Sequence, residues 1–266
     1  MYNTFIKPAG KIIKYLFRDY RKKIPLDEKV KLNFEEKKLL HNLKIHGYAV
    51  IENFASEETC VHIIKKIDYI FENYPAKTWK DDQKSDNRIF GAQIADKKIM
   101  EYFNDNFIKK IGEAYLGFKM KNVMVMANRV TFSSNNNGSG NGWHKDAYRK
   151  QFKSLLYLNN VDNNNGPFQL LKKSNKIFNL IKVAIKLQKT YPDTRFSENE
   201  IEKISRSEDV ITLDGRRGTL ILFDPSLTHR GSPLKSSRRY ALTNYYESLH
   251  NFDTYKSYLK PKFDLE

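Results

Sequence analysis

The chain contains a single cysteine, Cys60, among its 266 residues. One thiol can close no intrachain disulfide and furnish no multi-cysteine zinc site. Cys60 follows Glu57 and Glu58 in a helical pattern, which predicts a packing role and not a reactive thiol. Long apolar runs are missing as well: none approaches the roughly 18 residues of a membrane span. The longest, at 123–127 and 220–223, have the length of strands. The first residues lack the apolar core and small-residue cleavage site of a secretory signal, so a cytoplasmic setting is the expectation. No internal repeat is apparent. Acid is scarce too, with 31 Asp and Glu against 47 Lys and Arg, a formal net charge of +16.

What is present supports a folded protein. Hydrophobic residues make up 40% and aromatics 13%, enough for a core and too many for a disordered chain. The excess base admits nucleic acid, an anionic membrane surface or an acidic substrate as partner. It equally admits lysines on solvated faces with no partner. Nucleic acid is disfavoured, because no interleaved basic and aromatic platform appears. Residues 1–24 stand apart. Ile13, Leu16, Phe17, Tyr20 and Ile24 recur at helical spacing, and seven Lys and Arg are opposed only by Asp19. Such a basic amphipathic segment either lies on an anionic bilayer or packs its apolar stripe on the rest of the chain. Residues 25–266 are expected to form one domain.

Within that domain the pattern predicts a helix over 34–46 stopped by Gly47, a short strand over 48–51, and a helix capped by Ser56 running to about Phe71. A further helix is expected over 96–115, closed near Gly117. The period then changes from helical to alternating. Strands are expected at 123–132, 154–158, 168–171, 210–213, 219–223 and 240–246, with a polar loop over 133–142 and a helical insert at about 174–204. Helices followed by many short strands predict a mainly β fold with helical flanks, built from two sheets.

Of the six histidines, His41, His46 and His62 fall in helical patterns, and His250 has no partner at ligand spacing. His144 differs. Asp146 follows at i+2, and along an extended strand such side chains project to one face. Two histidines and one carboxylate on one face of an octahedron suit non-haem Fe(II) and leave three positions open. A lone His-x-Asp turns up by chance in roughly one such chain in three, so the pair needs support. His229 supplies it, following the strand-like 219–223 and the turn Asp224-Pro225-Ser226. Both candidates thus sit at strand ends, where β-barrels build their sites. Arg239 opens the next strand-like segment, where a buried guanidinium can grip a carboxylate. Arg238 and Arg239 can also be read as surface charge on a turn.

The order His144-x-Asp146, Asn165-Gly166-Pro167, Gly218-Thr219, His229-Arg230-Gly231-Ser232-Pro233 and Arg239-x-Ala241 resembles the phytanoyl-CoA dioxygenase family. The stretch from Gly47 to Phe54 is similar to that family's opening strand, and the resemblance covers roughly residues 34–247. It implies a double-stranded β-helix, a jelly-roll barrel, using Fe(II), 2-oxoglutarate and O2. Carried over by position, His144, Asp146 and His229 hold iron, and Arg239 binds the distal carboxylate of 2-oxoglutarate. Ser232 helps at that carboxylate, and Asn128 touches the cosubstrate. The implied reaction converts 2-oxoglutarate to succinate and CO2 while a substrate is oxidised. Related halogenases lack the metal carboxylate; Asp146 is present, so the chain resembles a hydroxylase. Neutral histidines are required as ligands, so activity is expected to fall below about pH 6.

Two departures bear on the pocket: Lys172-Lys173-Ser174-Asn175 replaces a Pro-Gly-Ser-His common in the family, and Leu155 stands where a Trp is common. Lys145, Tyr148, Arg149, Lys150, Lys172 and Lys173 cluster around the motifs. If they line the entrance, the substrate is an anionic or carrier-linked small molecule; if they are a solvated face, they say nothing. A cupin-like isomerase or lyase, and a non-catalytic protein bound peripherally to membrane, are the alternatives.

Overall fold

In the computed structural model of the chain, residues 30–134, 136–190 and 192–248 are described, with residues 10 and 26. The basic segment 1–24, but for Gly10, and His250 lie outside the described residues. Alternation along the β-rich half does what the period-2 rule requires. In β6 (Lys153–Tyr157) and β10 (Leu220–Phe223), Leu155, Tyr157, Ile221 and Phe223 join one apolar cluster, while Leu156, Leu220 and Leu222 join another. Both faces of this sheet are therefore covered, which is why β10 is apolar at every position.

The larger sheet has seven antiparallel strands in the order β1-β10-β6-β12-β4-β3-β2. Its other members are β1 (Tyr48–Ile51), β2 (Trp79–Lys80), β3 (Asp86–Phe90), β4 (Met120–Thr131) and β12 (Arg238–Ser248). The smaller sheet runs β8-β5-β11-β7-β9, from β5 (Trp143–His144), β7 (Phe168–Leu171), β8 (Arg195–Phe196), β9 (Val210–Leu213) and β11 (His229–Gly231). The two sheets enclose the cluster of Leu155, Tyr157, Phe168, Leu170 and Ile221. Two sheets with helical flanks, the jelly-roll expectation, is the observed architecture.

Helices cover the outer face of the larger sheet. α1 (Phe34–His46) ends at Gly47, whose φ of 83° is the left-handed conformation of a C-cap. α2 (Glu57–Asn73) starts at Ser56, which accepts from Thr59 N as its spacing predicts. Ile63, Ile67 and Ile70 of α2 are fully buried against the sheet, each contributing roughly 1.5–3 kcal/mol by burial. Cys60 packs in the same layer, and burial pushes its thiol up to about 11, as an inert packing residue requires.

Two expectations are corrected. The helix expected over 96–115 is two helices, α3 (Lys97–Phe103) and α4 (Asn106–Leu116). Asp105 is the cause: its carboxylate accepts from Ile108 N at 2.8 Å and restarts the helix as an N-cap. The insert expected to be helical contains α5 (Ile177–Leu187) and α6 (Glu198–Ile204), with β8 between them pairing to β5. No helix among the described residues is long and apolar enough to cross a membrane.

Candidate metal centre

β5 and β11 pair so that His144 and His229 are direct cross-strand partners, with ring centroids 4.4 Å apart. Each imidazole is fixed the same way. His144 Nδ1 lies 2.9 Å from Gly142 O and His229 Nδ1 2.8 Å from Leu227 O. A carbonyl only accepts, so Nδ1 carries the proton and Nε2 of each neutral ring is left with its lone pair. Both Nε2 atoms face Asp146 Oδ1, at 3.7 Å and 3.8 Å. The three ligand atoms lie within 4.8 Å of one another. Their donor set, two nitrogens and a carboxylate oxygen with an open side, fits a divalent first-row metal such as Fe(II).

Electrostatics suit ligation. Burial pushes His229 down to about 3, with His144 adding to the effect. Burial also lowers His144, against the opposing pull of Asp146. Both rings therefore stay neutral further into acid than free imidazole, the form a metal ligand requires. Burial opposes ionisation of Asp146, but the Lys153 ammonium and the two imidazoles outweigh it and hold the carboxyl well below its usual range.

The His144, Asp146 and His229 cluster opens into a cavity of about 230 Å³ lined also by Asn128, Lys153 and Arg239. Arg239 is 2% exposed, and Nη1 donates to Gly166 O. Its Nε has no partner, and no acid pairs with it among the described residues. Gly231 makes room for it: a Cβ there would come within 2.7 Å of both terminal guanidinium nitrogens. Burial lowers the Arg239 pKa, so the protein holds a desolvated cation facing an open cavity. Asn128 donates to Ser139 Oγ at 3.3 Å and leaves its buried Oδ1 unpartnered. Ser232 is buried with its N–H on Pro167 O, and the cavity lining does not include it.

None of Lys145, Tyr148, Arg149, Lys150, Lys172 and Lys173 lines this cavity. Lys145 points the other way because it lies between two residues that share a face; it is 1% exposed and donates to Ser174 O and Ser226 O. Tyr148 donates to Asp193 O, Arg149 pairs with Glu247, and Lys150 lies over the Tyr115 ring. Lys172 and Lys173 are exposed. The cavity's cations are instead Arg88, Lys153, Arg195 and Arg239. Lys153 was legible from the period, since it lies two residues before the inward Leu155. Arg88 and Arg195 carry no such signal: β8 has only two residues, and neither arginine belongs to a motif. Leu155 lines the cavity, as its place in the family pattern implies.

The jelly roll thus brings two histidines and a carboxylate, able to hold a metal ion, into one cavity with a buried arginine that has no acidic partner among the described residues, the arrangement of a jelly-roll metal-dependent enzyme. The family model for phytanoyl-CoA dioxygenase (PhyH) matches residues 43–241, and the chain belongs to that family. No curated protein matches it. Among solved structures it is similar to EctD from S. alaskensis, with a TM-score of 0.64 and 15% identity over 86% of this chain and 84% of that one. It is also similar to the epimerase SnoN, crystallised with Fe3+, alpha-ketoglutarate and nogalamycin RO, with a TM-score of 0.59 and 12% identity over 80% and 84%. A third is HygX from Streptomyces hygroscopicus with nickel, 2-oxoglutarate and hygromycin B, with a TM-score of 0.57 and 14% identity over 82% and 88%. At such identities the likeness is one of fold.

Proposed function

We propose that the protein is an Fe(II)- and 2-oxoglutarate-dependent oxygenase that hydroxylates a small molecule. The observation that carries this reading is Arg239, a buried guanidinium without an acidic partner, in the same cavity as the His144, Asp146 and His229 cluster. A cupin-like isomerase or lyase has no use for that arginine. Fe(II) with 2-oxoglutarate supplies the oxidising power when bound, consuming O2 as the cosubstrate becomes succinate and CO2. The chain's own residues bind and aim. His144, Asp146 and His229 hold the metal; Arg239 takes the distal carboxylate of the cosubstrate, and the unpartnered Oδ1 of Asn128 faces the same space. Leu155, Phe168 and Phe223 make the wall that excludes water. Hydroxylation asks no further group of the protein, and Asp146 keeps the position that a halide would need.

Arg195 supports an anionic group on the substrate. It is an exposed member of the cavity lining, pairs in register with His144, and its guanidinium donates to Gly140 O and Asn141 O, with no acidic partner for that group among the described residues. Anaerobic titration with Fe(II) and 2-oxoglutarate tests the central reading: a visible metal-to-ligand absorption is expected, lost in His144→Ala. No absorption in the native protein would sink it. A screen of acidic and neutral metabolites for stimulated succinate release then addresses substrate. Incorporation of 18O from labelled O2 separates hydroxylation from epimerisation or ring closure.

A further inference from the structure

The two oxygens of Asp146 have different partners. Oδ1 faces both imidazoles, while Oδ2 is held by Lys153 Nζ. Lys153 reaches the centre from the larger sheet, across from the metal-ligand strands. It stands in register with Tyr245 of β12, and its ammonium lies 3.6 Å from the centroid of the Tyr245 ring. The side chain is 11% exposed, so it pays a desolvation cost that its contact with Asp146 and the Tyr245 ring offset. A lysine there is not needed to fill space, because a methionine of similar length would pack without that cost.

We propose that Lys153 is a positioning residue that reserves Oδ2 and so keeps Asp146 a one-oxygen ligand. The inference rests on the metal-binding function proposed above. An octahedral ion holding two imidazoles and one carboxylate oxygen keeps three positions, two for a chelating 2-oxoglutarate and one for O2. A carboxylate using both oxygens would remove one of them. The ammonium prevents this by occupying the second oxygen with a charge-assisted hydrogen bond. It also has an electrostatic effect of opposite sign on the two guests. A fixed positive charge disfavours a divalent cation and favours a dianion. Lys153 thus gives up metal affinity in favour of cosubstrate affinity.

That opposition is the test. Co(II) replaces Fe(II) in the full-length protein, and its affinity is measured by calorimetry. The affinity of the Co(II)-loaded protein for 2-oxoglutarate and the intensity of the Co(II) visible spectrum are measured alongside. In Lys153→Met, Co(II) binding is expected to tighten and 2-oxoglutarate binding to weaken, each about tenfold, the scale of one unit charge nearby in a partly wet site. The spectrum should change as the second oxygen engages. Lys153→Arg should restore both affinities, and Lys153→Gln, which keeps a hydrogen-bond donor without charge, serves if the methionine variant does not fold. A merely structural lysine would weaken both guests together; that result, or no change in either, overturns the inference. If the native protein binds no Co(II), the proposed function falls with it.

Discussion

Gly140 shows how little freedom the candidate metal centre has at single positions. Its φ is 88°, a conformation that costs an L side chain, and a Cβ there would collide with His144 Cε1 and lie 3.1 Å from Nδ1. The glycine therefore does two things: it turns the loop between β4 and β5, and it leaves the space in which the His144 ring stands. Gly140→Ala should tilt that ring off the hydrogen bond to Gly142 O and lower Co(II) affinity by about 10- to 100-fold, the usual penalty for disturbing a ligand's orientation. Calorimetry on the alanine variant checks this, and native affinity would mean the loop yields without moving the ring. Removal of a ligand sets the upper bound: His229→Ala should abolish measurable Co(II) binding while the fold survives, because the ring opens into a cavity at one side.

At the scale of elements, α1 is tied to α4 by one carboxylate. Glu36 closes the capping box with Asn33 and also receives Lys110 Nζ at 2.7 Å. The Lys110 hydrogen bond, with the Asn33 N–H, holds the Glu36 carboxyl below its usual value of 4.5. A carboxyl lowered in the folded state contributes stability that is complete above its unfolded pKa and fades as pH falls through the lowered one. Urea midpoints of the native protein should accordingly drop below about pH 4.5 more steeply than those of Glu36→Gln; parallel curves would remove Glu36 from the account. Elements of this length were legible in the sequence, since α1, β7 and β9 lie where period and stop residues put them. The break at Asp105 was not, because an apolar stripe runs through it and only a side-chain hydrogen bond interrupts the backbone. Nor were β5, β8 and β11, which have two or three residues and no period to detect. His144 on β5 and His229 on β11 are legible instead from residue chemistry and from the family pattern. The basic residues around the motifs stay out of the cavity for a simpler reason: nearness in sequence is not nearness in space, and the alternation that joins His144 to Asp146 sends Lys145 to the opposite side.

Across the whole molecule, the site is divided between the two sheets. His144 and His229 come from the smaller sheet, while Asn128, Lys153 and Arg239 come from the larger one. Between them lies a cavity that brings cationic groups together with no matching anion at Arg239, so each sheet holds half of an incomplete arrangement. A metal held by His144, Asp146 and His229 would engage mainly the smaller sheet. A dicarboxylate chelated to that metal and paired to Arg239 would bridge both, so loading should stabilise the fold in two separable increments. Each guest at about 100 times its Kd adds about 2.7 kcal/mol by mass action, or about 5–10 °C in Tm for a chain of this size. Thermal scans with Co(II) alone, and then with Co(II) and 2-oxoglutarate, should show the two steps in the native protein. In Arg239→Met the first step should persist and the second shrink to a small fraction of its native size. If the second step survives intact, the cosubstrate is anchored elsewhere, and the buried arginine needs another ligand to account for it.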